Sequence, residues 1–326
     1  GKYPTSISPD YLADLDKYLK GDSKLKQIGN VDSGGMNTPT YKKIIPSITW
    51  LTKIIDREWQ EGYDHYGVTR LSAISHYFSY SLKGRLRKMF IDKNFVREIT
   101  SNEKFLFYPL QIQPERNIDI AAPFYANQVE VISNIAKALP VDYKLYVKEH
   151  VNMYLRHWRN ISYYKKIMEL PNVKLIHPSV NPKTLLEKCV TVITTGGTIG
   201  FEAALHKKPC IVFSDVAYSS LPSVYRLKSL EELPMAIKES LKKEVKLSDV
   251  NEFVNLLDRN SFPFNNTELS IKINNEFFYD GYLFDTKINP KNAEEFIRKN
   301  QEYFQILNAQ YVKKIEKHMK QKAKGL

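Results

Sequence analysis

A chain of 326 residues, 43% hydrophobic and carrying a net charge of +12, can bury one large core or two modest ones. No apolar run is long enough for a transmembrane helix, and two cysteines, Cys189 and Cys210, exclude a disulfide framework or a zinc site. The positive balance suits an anionic partner: nucleic acid, an anionic membrane face or a phosphorylated substrate.

The first hundred residues read as helices and loops. Leu12, Leu15 and Leu19 have helical spacing and predict a helix over 9–19. A polar, turn-rich loop follows over 29–40, then helices over 44–59 and 69–90. The last of these ends in Lys83, Arg85, Arg87 and Lys88. No signal peptide is apparent. The start at Gly1, Lys2 and Tyr3 without Met suggests a processed or excised fragment with an upstream domain. Sequons at Asn160 and Asn265 read as chance.

From Glu103 the character changes. Strands are predicted over 105–111, 144–148, 173–177, 190–194 and 209–213. Helices are predicted over 124–139, 162–170, 182–188, 200–206 and 230–243. Short continuous apolar strands alternating with helices predict a Rossmann-like α/β domain, a parallel sheet covered on both faces. The predicted divisions are a mainly helical region over 1–100, a nucleotide-sugar-binding domain over 101–246, and a C-terminal extension over 247–326. A helix over 292–324 in that extension packs back on the sheet or joins a further domain. Its basic end over 313–324 reads either as a solvated helix end or as a contact to an anionic partner.

Ligands of such sheets bind beyond the carboxyl ends of the strands. Four ends carry polar residues here. The first offers Gln111, Gln113, Glu115 and Arg116; the second Lys148, Glu149 and His150; the third His177 and Ser179; the fourth Thr194, Thr195, Gly196, Gly197 and Thr198. The glycine-rich turn before a helix is the unit that lets backbone N–H groups approach a phosphate. Lys148 supplies a cation beside it, and His150 and Glu115 are acid/base candidates. Other readings stand beside these. His150 could be a satisfied histidine, His177 a turn former, and Glu115 a cap or the partner of Arg116. Glu202 could be a first-turn carboxylate favoured by the helix dipole, or a ligand of ribose hydroxyls.

The segments FYPLQIQPE (107–115), LYVKEH (145–150), PNVKLIHP (171–178) and TTGGTIGFEAALHKKPCIVF (194–213) together resemble the capsule polysaccharide biosynthesis family, which includes capsular Kdo transferases. The resemblance implies the C-terminal-type half of a GT-B glycosyltransferase. It makes Lys148 and His150 donor-phosphate ligands and Thr194, Thr195, Gly196, Gly197 and Thr198 the phosphate cradle. Glu202 would touch ribose or base, and Gln113 and Glu115 would face the sugar or acceptor, with Glu115 and His150 catalytic. Two departures stand out: Val151 occupies a position where the family usually has proline, and the first hundred residues do not alternate strands with helices.

The activity implied is transfer of a sugar from a nucleotide-activated donor, CMP-Kdo-like or another, to a glycan or lipid-linked acceptor. No cofactor is expected beyond that substrate. No Asp-x-Asp signature lies near a strand end, so metal independence is expected. Alternatives are a sugar-nucleotide 2-epimerase and a non-catalytic nucleotide-sugar-binding scaffold. No nucleic-acid partner is expected, because no recognition helix or aromatic platform is present. The expected location is cytoplasmic, with peripheral attachment to the inner face of the membrane through the basic helix end and tail.

Overall fold

The computed structural model describes residues 70–99, 103–150, 153, 159–262, 264–281 and 286–323, and also Ile44, Ile45 and Ile48, which are helical. Apart from those three positions, the predicted elements over 9–19, 29–40 and 44–59 lie outside the described residues. Two compact units separate at Arg259 and Asn260.

The first unit is built on a sheet. Its strands are β1 (Lys104–Pro109), β2 (Tyr143–Lys148), β3 (Val173–Ile176), β4 (Thr191–Thr194), β5 (Cys210–Val212) and β6 (Val224–Arg226). All neighbouring pairs are parallel, in the order β3-β2-β1-β4-β5-β6. The helices are α1 (Arg70–Asn94), α2 (Arg116–Asp119), α3 (Gln128–Ala138), α4 (Ile161–Met168), α5 (Pro182–Lys188), α6 (Ile199–Leu205), α7 (Leu233–Ser240) and α8 (Leu247–Asn260). This is the Rossmann-like α/β architecture that the alternation predicts.

Successive strand side chains point to opposite faces, and β1 shows what that demands here. Leu106 and Tyr108 enter one core with Ile91 of α1, Ile132 and Ile135 of α3, Tyr164 and Ile167 of α4 and Ile237 of α7. Phe105 and Phe107 enter the other with Leu185 and Leu186 of α5, Ala203 and Ala204 of α6 and Phe253 of α8. A strand buried on both faces must be apolar at every position, which is why it reads as a run rather than an alternation. Cys189 and Cys210 are buried free thiols, and burial pushes the Cys189 thiol up to about 12.

Three differences from the sequence reading have local causes. Strand β6 has three residues and one buried position, too short for a pattern. Helix α8 is real although its segment reads as irregular: Val250, Phe253 and Val254 face the core among charged neighbours. The helix predicted over 230–243 is a 3-10 turn (Leu230–Glu232) followed by α7, with a proline in the first turn of α7.

The second unit contains α9 (Asn266–Phe277), α10 (Pro290–Lys299) and α11 (Gln301–Ala323). Its small core is Leu269, Phe296 and Tyr303. The single helix predicted over 292–324 is two, because Asn300 ends α10: its backbone N–H and its side-chain amide both donate to the Phe296 carbonyl, at 3.0 and 2.9 Å. Among the described residues, no helix is long and apolar enough to cross a membrane.

Candidate functional site

The strand order reverses between β1 and β4, which both leave the sheet at their carboxyl ends beside each other. A cleft of about 350 Å³ opens there. Its walls include Gln111, Glu115, Lys148, His150, Gly197 and Glu202. Position alone makes it the place for a ligand in such a fold.

Lys148 ends β2 and is 6% exposed. Its ammonium donates to the Pro178 carbonyl at 3.0 Å and more weakly to the Glu149 carbonyl at 3.4 Å. Among the described residues it makes no ion pair. Burial lowers its pKa to about 8, against a smaller upward pull from the Glu149 charge. Among the described residues its hydrogen bonds go only to neutral carbonyls, an arrangement at a cleft wall that suits an anion.

The turn after β4 divides into two parts. Thr194 is buried, and its Oγ1 accepts from the Gly197 N–H at 3.1 Å and from Gln111 Nε2 at 3.2 Å. Thr195 is fully buried; its carbonyl accepts from the Ser214 N–H at 2.9 Å and from the Ser214 hydroxyl. Gly196 turns toward the same segment, and a Cβ there would collide with Ser214 Oγ. These residues serve the packing of the turn against the loop after β5. Gly197 and Thr198 face the cleft. The Gly197 carbonyl accepts from the Tyr218 hydroxyl at 2.5 Å, and a Cβ on Gly200 would lie 2.7 Å from the Tyr218 ring. No unusual backbone angle marks either Gly196 or Gly200, so close approach is what excludes larger side chains there.

The remaining wall carries carboxylates. Glu115 precedes α2; burial, and secondarily the Asp119 charge, raises its pKa. Its N–H donates to Asp119 at 2.8 Å. Glu202 lies in the first turn of α6, with the Thr198 hydroxyl at 3.5 Å.

From the cleft wall, where Gln111 and Glu149 lie, a network that the sequence does not announce runs inward. Glu149 and Arg159 are 0% and 5% exposed at their side chains, and Arg159 Nε donates to Glu149 Oε2 at 2.9 Å. Glu149 also accepts from the Tyr164 hydroxyl at 2.7 Å and from the His150 N–H at 2.8 Å. Arg159 donates further to the Gln111 carbonyl and, at 3.3 Å, to Gln113 Oε1. Gln113 is thereby committed to structure: its amide also meets Gln128 and the Ala126 carbonyl, and it lines a separate cavity with Arg159. Breaking such a buried pair costs about 3–5 kcal/mol. His177 likewise lies outside the cleft lining, between Asp92 of α1 at 2.9 Å and Ser179 at 2.6 Å.

Of the predicted residues, Glu115, Lys148, His150, Gly197, Thr198 and Glu202 therefore share the cleft. Thr194 supports it from below. Thr195, Gly196 and Gln113 point elsewhere. Gln111 and Glu149 were visible only as polar strand ends, and Arg159 carries no periodic signal at all.

The sequence profile of a family described as capsule polysaccharide biosynthesis protein matches residues 14–248. No curated protein matches the chain. Among solved structures, UDP-GlcNAc 2-epimerase from Methanocaldococcus jannaschii is similar at 18% identity, over 53% of this chain and 49% of that one, with a TM-score of 0.35. KpsC from Thermosulfurimonas dismutans, described as a beta Kdo 2,4 transferase, is similar at 17% identity, over 53% and 62%, with a TM-score of 0.33. UDP-GlcNAc 2-epimerase from Neisseria meningitidis, bound to UDP-GlcNAc, is similar at 15% identity, over 59% and 52%, with a TM-score of 0.33. The chain thus spans about half the length of these epimerases and less than two thirds of the transferase.

Proposed function

The chain belongs to the capsule polysaccharide biosynthesis family, and on that premise we propose that it is a metal-independent glycosyltransferase of GT-B type whose cleft binds a nucleotide-activated sugar. One observation carries the reading. The buried Lys148 ammonium, without an ion-pair partner among the described residues, lines the same cleft as the Gly197–Thr198 turn at the strand-order reversal.

In this reading the donor phosphate takes the position that the Lys148 charge calls for. His150 and the N–H groups at the start of α6 complete its grip. As the bond from sugar to phosphate breaks, negative charge grows on the leaving oxygen, and the fixed cation stabilises it without a metal. Glu202 takes a ribose hydroxyl. Glu115, its proton affinity raised by burial, serves as the acid/base toward the acceptor hydroxyl. The acceptor is a glycan or lipid-linked glycan, and CMP-Kdo is one candidate donor. Attachment to an anionic membrane face belongs to the same proposal and is tested by sedimentation with anionic vesicles.

The test is incubation with CMP-, UDP- and GDP-linked sugars, with and without glycan acceptors, in EDTA. Acceptor-dependent release of nucleotide that EDTA does not reduce is the expected result. An isomerised nucleotide sugar formed without acceptor would identify an epimerase instead. A thermal shift with neither nucleotide release nor isomerisation would leave a nucleotide-sugar-binding scaffold, and no shift with any of the three nucleotide classes would remove the donor reading.

A further inference from the structure

We propose that Arg159 and Glu149 are positioning residues for phosphate binding in the cleft. This rests on the donor reading above, but it concerns two residues to which that reading gives no role.

The two phosphate-facing walls come from different strands. One is the Gly197 turn after β4, and the other is the Lys148–His150 end of β2. A continuous chain of hydrogen bonds joins them through the ion pair. The Gly197 N–H donates to Thr194 Oγ1 at 3.1 Å, which also accepts from Gln111 Nε2 at 3.2 Å. The Gln111 carbonyl accepts from Arg159. Arg159 donates to Glu149 at 2.9 Å, and Glu149 accepts from the His150 N–H at 2.8 Å.

Further contacts brace the links. Gln128 clamps Gln111 from both sides, accepting from its N–H at 2.7 Å and donating to its carbonyl at 3.2 Å. Tyr164 holds Glu149 at 2.7 Å, and the Arg159 guanidinium lies 4.9 Å from the Tyr163 ring centroid. Glu149 lines the cleft but is fully buried, and its carboxylate oxygens are taken by the His150 N–H, Arg159 and the Tyr164 hydroxyl, so its effect on a ligand passes through these neighbours. A buried ion pair is weak evidence of stabilisation, because apolar residues of similar volume often serve as well. Its more specific capacity is geometric: the pair ties the two ends of the connection between β2 and α4 together, and Arg159 fixes that connection to the Gln111 carbonyl and so, through Thr194, to the Gly197 turn. Those are the two walls that must grip one phosphate, and misplacement of such groups by about an ångström is expensive in binding and rate.

A positioning role predicts loss of phosphate affinity with retention of nucleoside affinity, whereas a merely structural role lowers both together. The experiment is calorimetric titration of the full chain with CMP, UMP and GMP and with the corresponding nucleosides. Removing one charge alone could unfold the chain, so the main variant is the double Glu149→Gln/Arg159→Met, which removes both charges of the pair together. Arg159→Lys is the conservative comparison. The expected result is a nucleoside affinity within about twofold of wild type and a nucleotide-to-nucleoside affinity ratio reduced about tenfold or more, partly restored in Arg159→Lys. An unchanged ratio in the double variant, or an equal loss for nucleoside and nucleotide, overturns the proposal. Failure of the wild-type chain to bind any nucleotide is a different result: it removes the donor reading, and this proposal with it.

Discussion

The side-chain amide of Gln111 donates to Thr194 Oγ1 at 3.2 Å, joining residues 83 apart in sequence across the point where the strand order reverses. The same oxygen accepts from the Gly197 N–H. One threonine hydroxyl thereby anchors both the loop after β1 and the turn after β4. Thr194→Val keeps the shape and removes the acceptor. It takes the side-chain acceptor from the part-buried Gly197 N–H and leaves Gln111 Nε2 with the Pro109 carbonyl at 3.3 Å, at a cost of about 1–3 kcal/mol. Denaturant titration is expected to find a destabilisation in that range. Nucleotide affinity should fall in the same variant, and wild-type values for both would disprove the anchoring role.

Lys148 predicts two pH dependences of opposite sign. Its pKa is near 8 in the folded chain against an ordinary 10.5. Below pH 8 both folded and unfolded chains are protonated, and the folded chain carries the full cost of burying the charge. Between pH 8 and 10.5 only the unfolded chain holds the proton, so the Lys148 contribution to stability rises by about 1.4 kcal/mol per pH unit. Affinity for a nucleotide moves the other way, falling as pH rises through 8 and the ammonium is lost. Lys148→Met should flatten both profiles. Persistence of either slope in that variant assigns it to another group.

The glycines of the turn predict a double-mutant cycle. Gly200→Ala places a methyl 2.7 Å from the ring of Tyr218, which is only 8% exposed, and is expected to cost about 1–3 kcal/mol. Gly196→Ala collides with Ser214 Oγ, whereas the next nearest atoms lie at 3.5 and 3.6 Å. Ser214→Ala should therefore rescue Gly196→Ala, giving a combined loss smaller than the sum of the two. Strict additivity in thermal or denaturant unfolding would contradict this packing account.

Glu115 separates chemistry from binding. Glu115→Gln keeps the size of the side chain and abolishes its proton exchange. Once a donor and acceptor are identified, kcat is expected to fall about 10²–10⁴-fold with KM little changed. An unaltered kcat removes Glu115 from the reaction.

Much of the sheet was legible because its strands are buried on both faces. Phe105–Tyr108 and Val192–Ile193 have no room for a polar side chain, so they appear as apolar runs. Helix α8 was written just as plainly, in Val250, Phe253 and Val254, but Asp249, Glu252 and Asp258 obscured it. Strand β6 was not legible, since three residues with only Val224 buried hold no periodicity. The polar strand ends were readable as a set. Their individual orientations were not: Thr195 and Gly196 sit beside Gly197 in sequence yet turn toward Ser214.

The sequence by itself determined the alternation of strand and helix, and with it the parallel sheet and the edge at which the cleft opens. Those features follow from local burial, which every residue records in its own polarity. Only the tertiary structure decided that Gln111 and Glu149 of the cleft wall form one buried network with Arg159, and that Gln113 belongs to that network and lies outside the cleft lining. Hydrogen bonds between residues 10 to 83 positions apart leave no periodic trace, because their partners are chosen by the packing of loops and not by the pitch of any helix or strand.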